Sequence, residues 1–147
     1  MSIKSFYTIV GNCLKCAIVA HCINEYVGNI VLCAGPSMEP TLWNNDVLIA
    51  ERISVRLKKF KKGDIVISQC PSNADQYICK RITGLPGDRV KHGIVVPREH
   101  IWLEGDNAYN STDSRTYGPV PVHFLRARVL CKIVPSDDIS GFIRKLV

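Results

Sequence analysis

Apolar and polar positions divide the chain into two textures. From Phe6 to Cys33, FYTIVGNCLKCAIVAHCINEYVGNIVLC is largely apolar and free of proline, with Lys15, His21 and Glu25 interrupting it. At about 100° per residue, Lys15, His21, Glu25 and Asn29 share about one third of a helical wheel, opposite Ile9, Cys13, Ala17, Ala20, Ile23 and Val27. The pattern predicts an N-terminal membrane-associated helix over 1–33, although it is not a clean span. It carries neither an Arg-rich, acidic-poor presequence nor a small-residue cleavage site, so the anchor is expected to be retained.

From residue 46 the texture becomes a series of short β-like runs: DVLIAE, DIVISQC, QYICKRIT, RVKHGIVV, HIWLEG and ARVLCKIV, separated by Gly, Pro, Asn and Asp. These predict a mainly β fold, a small antiparallel and barrel-like sheet spanning 34–135. A short amphipathic tail, SDDISGFIRKLV, follows at 136–147. A chain of 147 residues is long enough for one domain with a real core and too short for two ordinary ones.

Charge narrows the partners. Nineteen Lys and Arg against 13 Asp and Glu give +6, which favours anionic surfaces. The basic cluster RISVRLKKFKKGD has no aromatic stacking series beside it, so it reads as a solvated loop that can touch anionic lipid, and no nucleic acid is expected. Seven cysteines at irregular spacings cannot all pair with one another and read as reduced. Cys13 and Cys16 form a C-x-x-C pair near His21 and Cys22, but no second pair follows, and no metal is expected.

The chemistry concentrates in three places. In AGPSMEPTL, residues 34–42, Pro36 and Pro40 bias the flanking backbone toward extended geometry, and Gly35 lets another backbone approach. Ser37 can thus be a presented nucleophile, or the stretch can be a plain turn. A nucleophilic serine needs a base, and none of His21, His92, His100 and His123 sits where a carboxylate would orient it. Lys80 differs, because alternation in QYICKRIT puts it on one face with Ile78 and Ile82, while Arg81 points the other way. Desolvation there favours the neutral amine, which can act as a general base; the alternative is a side chain that snorkels to water. The third place is GDNAYNSTDSRTYGPV, 105–120, dense in hydrogen-bonding side chains. It can be a self-bonded rigid turn, with Asp113 and Arg115 paired, or it can hold the lysine toward the serine.

Together these elements resemble the type I signal peptidases, membrane-attached serine proteases with a Ser-Lys dyad. SMEPT at 37–41 is similar to the nucleophile box, KKGDIV at 61–66 to the GD strand box, KRITGLPGD at 80–88 to the lysine box, and GDNAYNSTDSR at 105–115 to the C-terminal box. The short domain, the GPSMEPT variant and the upstream HCINEYVG resemble the mitochondrial inner-membrane branch of that family. The resemblance implies Ser37 as nucleophile, Lys80 as base and Ser111 as the hydroxyl that orients the lysine. It also implies an ion pair between Asp113 and Arg115, and a signature Asp106 without chemistry of its own. In many relatives a serine stands two residues before the nucleophile and donates to the oxyanion hole; here it is Gly35, so the hole would rest on Ser37 N–H and neighbouring groups such as Gly35. Activity would be removal of sorting or leader peptides from precursors, on the intermembrane-space side of the mitochondrial inner membrane, with a related second subunit and no cofactor. A rival is a non-catalytic membrane subunit that binds or presents precursors, which would be expected to have lost the serine or the lysine. A soluble self-cleaving Ser-Lys switch would carry a DNA-binding or partner domain where this chain has its apolar third.

Overall fold

The computed structural model describes residues 3–22, 28–133 and 143–145. The N-terminal helix α1 covers Ile3–Cys22. Its side chains Tyr7, Ile9, Val10, Leu14, Ile18 and Val19 are exposed, and no described helix is long and apolar enough to cross a membrane. Within the segment 1–33 read from sequence as the N-terminal helical part, Asn29–Leu32 forms strand β1 instead. Asn29 therefore lies in the sheet and not on the helix's polar face, and Glu25 falls outside the described residues.

The strands that follow are β2 (Val47–Glu51), β3 (Ile65–Cys70), β4 (Asn73–Gly84), β5 (His100–Glu104), β6 (Val120–Pro121), β7 (Leu125–Ile133) and β8 (Ile143–Lys145). All pairings are antiparallel and run in the order β1-β2-β7-β3-β4-β5-β6, with β8 on β7. The path is open among the described residues, so the expected barrel-like closure is not seen. Each antiparallel step reverses direction, and four steps separate β1 from β4, so these two strands run the same way. Of the predicted runs, RVKHGIVV yields no strand: its ends meet in a single bridge, Arg89 with Val95, around a turn at Lys91–Gly93. Of the tail, 143–145 adds β8, and the rest lies outside the described residues.

The centre of the sheet explains its most apolar run. DIVISQC becomes β3, which is buried on both faces. Ile65 and Ile67 pack with Cys33, Met38, Leu42, Leu48, Ala50, Ala127 and Val129 on one side. Val66 packs with Ile82, Ile101, Leu103, Val120, Val122 and Leu125 on the other. Side chains opposite one another in a ladder share a face, so the Val66–Lys80 register pair puts the lysine stem on the Val66 and Ile82 side.

Candidate active site

The loop that carries Ser37 is anchored before and after it. Met38 and Leu42 are buried in the core, and Leu42 N–H donates to Met38 O at 2.9 Å. Asp46 closes the loop's base by accepting from Trp43 N–H at 2.9 Å and from Lys132 Nζ at 2.8 Å. Gly35 takes φ +89°, where a side chain is strained, and its N–H donates to Asn44 Oδ1 at 3.0 Å. Across the loop, Asn107 N–H donates to Ser37 O at 3.0 Å and Asn107 Nδ2 to Pro36 O at 3.2 Å. The N–H of Ser37 itself has no acceptor among the described residues.

Strand β4 delivers the lysine. Lys80 is 4% exposed, and its Nζ lies 2.6 Å from Ser37 Oγ, across 43 residues of sequence. Burial pushes the amine below the ordinary lysine value, against the opposing pull of Asp113 and of nearby thiols. As an ammonium, Nζ donates to Oγ; as a neutral amine, it accepts the hydroxyl proton along the same line. Cys79, the next side chain on β4, is pushed up to about 12 by burial, so its thiol stays protonated and does not compete as a nucleophile.

The GD segment and the polar loop brace this strand. Gly63 N–H donates to Ile82 O at 2.8 Å and Ile82 N–H to Asp64 O at 2.9 Å. Arg81, beside the lysine but turned the other way, reaches Gly63 O with Nη1 at 2.7 Å. It also forks onto Asp106, with Nε to Oδ1 at 2.8 Å and Nη2 to Oδ2 at 2.6 Å. Asp106 Oδ2 in turn accepts from Thr41 Oγ1 at 2.6 Å. One carboxylate thus joins the serine loop to the lysine strand. Sequence reading left Asp106 in a signature without chemistry and missed Thr41, Arg81 and Asn107. The available signals were the outward-facing Arg81 and the single carboxylate of GDN.

Asp113 and Arg115 pair as expected, with Arg115 Nε to Oδ1 at 2.8 Å and Nη2 to Oδ2 at 2.5 Å. The fully buried Asp113 also accepts from Gly105 N–H at 2.8 Å and from Ser111 Oγ at 2.6 Å. The Ser111 proton therefore goes to this carboxylate, and no hydrogen bond joins Ser111 to Lys80 among the described residues, unlike the orienting contact expected. Gly105 is fixed by crowding: a Cβ there would stand 2.2 Å from Ser111 Oγ and 2.5 Å from Ser37 O.

Burial raises the Asp113 carboxyl, but the bonds from Arg115, Gly105 and Ser111 outweigh it and hold the group at about 2. A depressed carboxyl stabilises the fold above its unfolded value and loses that contribution as pH falls toward the folded one. Asp113→Asn is accordingly expected to lower unfolding free energy by roughly 2 kcal/mol at neutral pH, with the deficit shrinking as pH drops from 4 toward 2. Denaturant unfolding across that pH range measures it.

A cavity of about 360 Å³ opens beside the pair, lined by Ala34, Ser37, Lys80, Ser72, Thr112 and Tyr117 among others. The Tyr117 hydroxyl is buried without a partner among the described residues. A second cavity, about 120 Å³, continues from it along Cys33, Val31, Ile78 and Cys79. Cys13, Cys16, Cys33, Cys70, Cys79 and Cys131 are free, and no group of three or more His, Cys, Asp or Glu fit to hold a metal occurs among the described residues.

The family model described as "Signal peptidase, peptidase S26" matches residues 7–94 and 90–134. The mitochondrial inner membrane protease subunit 1 of Homo sapiens is 46% identical over 147 residues, covering 94% of this chain and 88% of the relative. The protein of that name in Schizosaccharomyces pombe is 37% identical over 131 residues, 83% of each chain. The mitochondrial inner membrane protease subunit 2 of Saccharomyces cerevisiae is 37% identical over 130 residues, 78% of this chain and 73% of the relative. Matched from residue 7 to 134 and, over 94% of its length, 46% identical to a relative, this chain belongs to the signal peptidase family of serine-protease-type hydrolases.

Proposed function

We propose that the protein is a membrane-attached endopeptidase that removes sorting or leader peptides from precursors through a Ser37–Lys80 dyad. The reading rests on the 2.6 Å approach of a buried lysine amine to the serine hydroxyl. Neutral Lys80 takes the Ser37 proton as Oγ attacks the scissile carbonyl, and the unengaged Ser37 N–H stabilises the oxyanion. Gly35 N–H, already donated to Asn44, is not free for that task. The charged lysine then protonates the leaving amine, and water, deprotonated by the same amine, resolves the acyl-enzyme. Ser111 acts on the lysine at one remove, by bonding Asp113, whose charge pulls the amine toward its protonated form against the effect of burial.

The precursor lies extended in the cleft between β1 and β4, its alternate side chains entering the two cavities that start at Ser37. The exposed apolar side chains of α1 and the net positive charge favour attachment at a lipid surface. Similarity to proteins named as mitochondrial inner membrane protease subunits 1 and 2 supports a location at that membrane and a related partner subunit. We place the catalytic domain on its intermembrane-space side.

The deciding experiment is cleavage of a candidate precursor by the purified full chain, with and without the related subunit, read from product masses. Precursor bound but never cut under either condition would make the chain a presenting subunit. For the active enzyme, kcat/KM is expected to rise with pH as the lysine loses its proton, with a midpoint below that of an ordinary lysine. A rate that falls over the same range would remove the amine as base.

A further inference from the structure

The cleft does not end at the second cavity. A third, about 300 Å³, follows on the same face, lined by Asn29, Val31, Arg52, Ile67, Tyr77 and Arg126. It shares Val31, Ile67 and Tyr77 with the second, which in turn shares Ala34, Tyr77, Ile78 and Cys79 with the cavity holding Ser37 and Lys80. The spacing has a simple origin. In β1, Asn29 and Val31 are turned inward while Ile30 and Leu32 are exposed, and Cys33, two residues beyond Val31, is buried. Ala34 lines the first and second cavities, Cys33 and Val31 the second, and Val31 and Asn29 the third, so the inward side of this segment carries the cleft from one cavity to the next. An extended substrate presents its side chains to one face at the same period of two. Three cavities then receive the first, third and fifth residues counted from the scissile bond.

The third cavity differs from the others in charge. It carries two guanidinium groups and no carboxylate among its described lining residues. Arg126 is exposed and bonded to neutral oxygens, with Nη1 to His123 O at 2.8 Å and Nη2 to Gln69 Oε1 at 2.7 Å. Arg52 is steadied by Asn29, whose amide oxygen, turned toward it, accepts from Nη2 at 2.7 Å. Val31, Ile67 and the Tyr77 ring supply apolar walls for a short aliphatic stem.

We propose that this cavity is a specificity subsite for an acidic side chain, Glu or Asp, at the fifth residue on the acyl side of the cut. The inference rests on the peptidase reading above. The acyl side is assigned because that segment stays bonded to Ser37 until water releases it, so contacts along the cleft act through both chemical steps. A partly exposed guanidinium facing one carboxylate gives a preference of roughly fivefold.

The test uses the full chain in detergent and a library of chymotryptic peptides from a bacterial proteome, with cut sites mapped by mass spectrometry. Acidic residues are expected to be enriched roughly fivefold at the fifth position before the cut. Arg126→Gln should erase most of that enrichment and Arg126→Glu should shift it toward Lys and Arg, with preferences at the first and third positions unchanged. Unchanged near-site preferences also show that the variants are folded. Cleavage that depends on Ser37 but shows no acidic enrichment there would overturn the subsite and leave the peptidase standing. So would enrichment that survives both Arg126 variants, or that lies on the leaving side. Absence of any cleavage that Ser37→Ala abolishes would overturn both.

Discussion

Lys80→Arg is expected to abolish precursor cleavage, lowering turnover by roughly four orders of magnitude or more, although it keeps the positive charge. A guanidinium does not release its proton in the working pH range, so nothing remains to receive the one on Ser37 Oγ. The site has little space for a longer, planar head: Lys80 is almost fully buried, and its nitrogen already touches Oγ at 2.6 Å. Lys80→Met separates chemistry from folding. It fills a similar volume and removes an amine whose charged form burial disfavours, so unfolding free energy is expected to hold or rise while cleavage is lost. Turnover of a precursor peptide, paired with denaturant unfolding, reads both. Cleavage retained by Lys80→Arg would rule the lysine out as base.

Ser37→Ala is expected to lower turnover by roughly four to six orders of magnitude, because no covalent intermediate can form. The fold should barely register the change. Ser37 is half-buried, and its loop is held by bonds the hydroxyl does not make: Asn107 to the Ser37 carbonyl, Met38 and Leu42 in the core. Precursor affinity should therefore survive, and the variant should trap uncut substrate. A loss of less than about tenfold would return Ser37 to the status of a turn residue.

Much of the sheet was legible because its strands carry local signals. DIVISQC is apolar on both faces because two core layers meet at β3, and QYICKRIT alternates because one side of β4, that of Ile82, packs with Val66 in the core. The lysine stood out for the same reason, a cation placed at an apolar position of a period-two pattern. Strand β1 did not stand out, since its four residues, NIVL, merge with the apolar texture of the helix before them, and what makes them a strand is pairing with β2. RVKHGIVV misled in the opposite sense: its β-prone residues flank Gly93, and the chain turns there before a ladder can grow.

In the site, the pairs that were legible are close in sequence or signalled by type, as with Asp113 and Arg115. The bonds from Asp106 to Thr41 and Arg81 span 65 and 25 residues, and no local pattern marks them. Ser111 shows the limit in another way. Its place in the motif loop is evident from sequence, but which of two neighbours takes its proton depends on Å-scale positions, and Asp113 is the one that does.

The shared carboxylate of Asp106 has a mechanical consequence. Because Thr41 and the Arg81 fork are fastened to the same carboxylate, the loop carrying Ser37 and the strand carrying Lys80 share one strut. Alignment is then built during folding and not on substrate arrival.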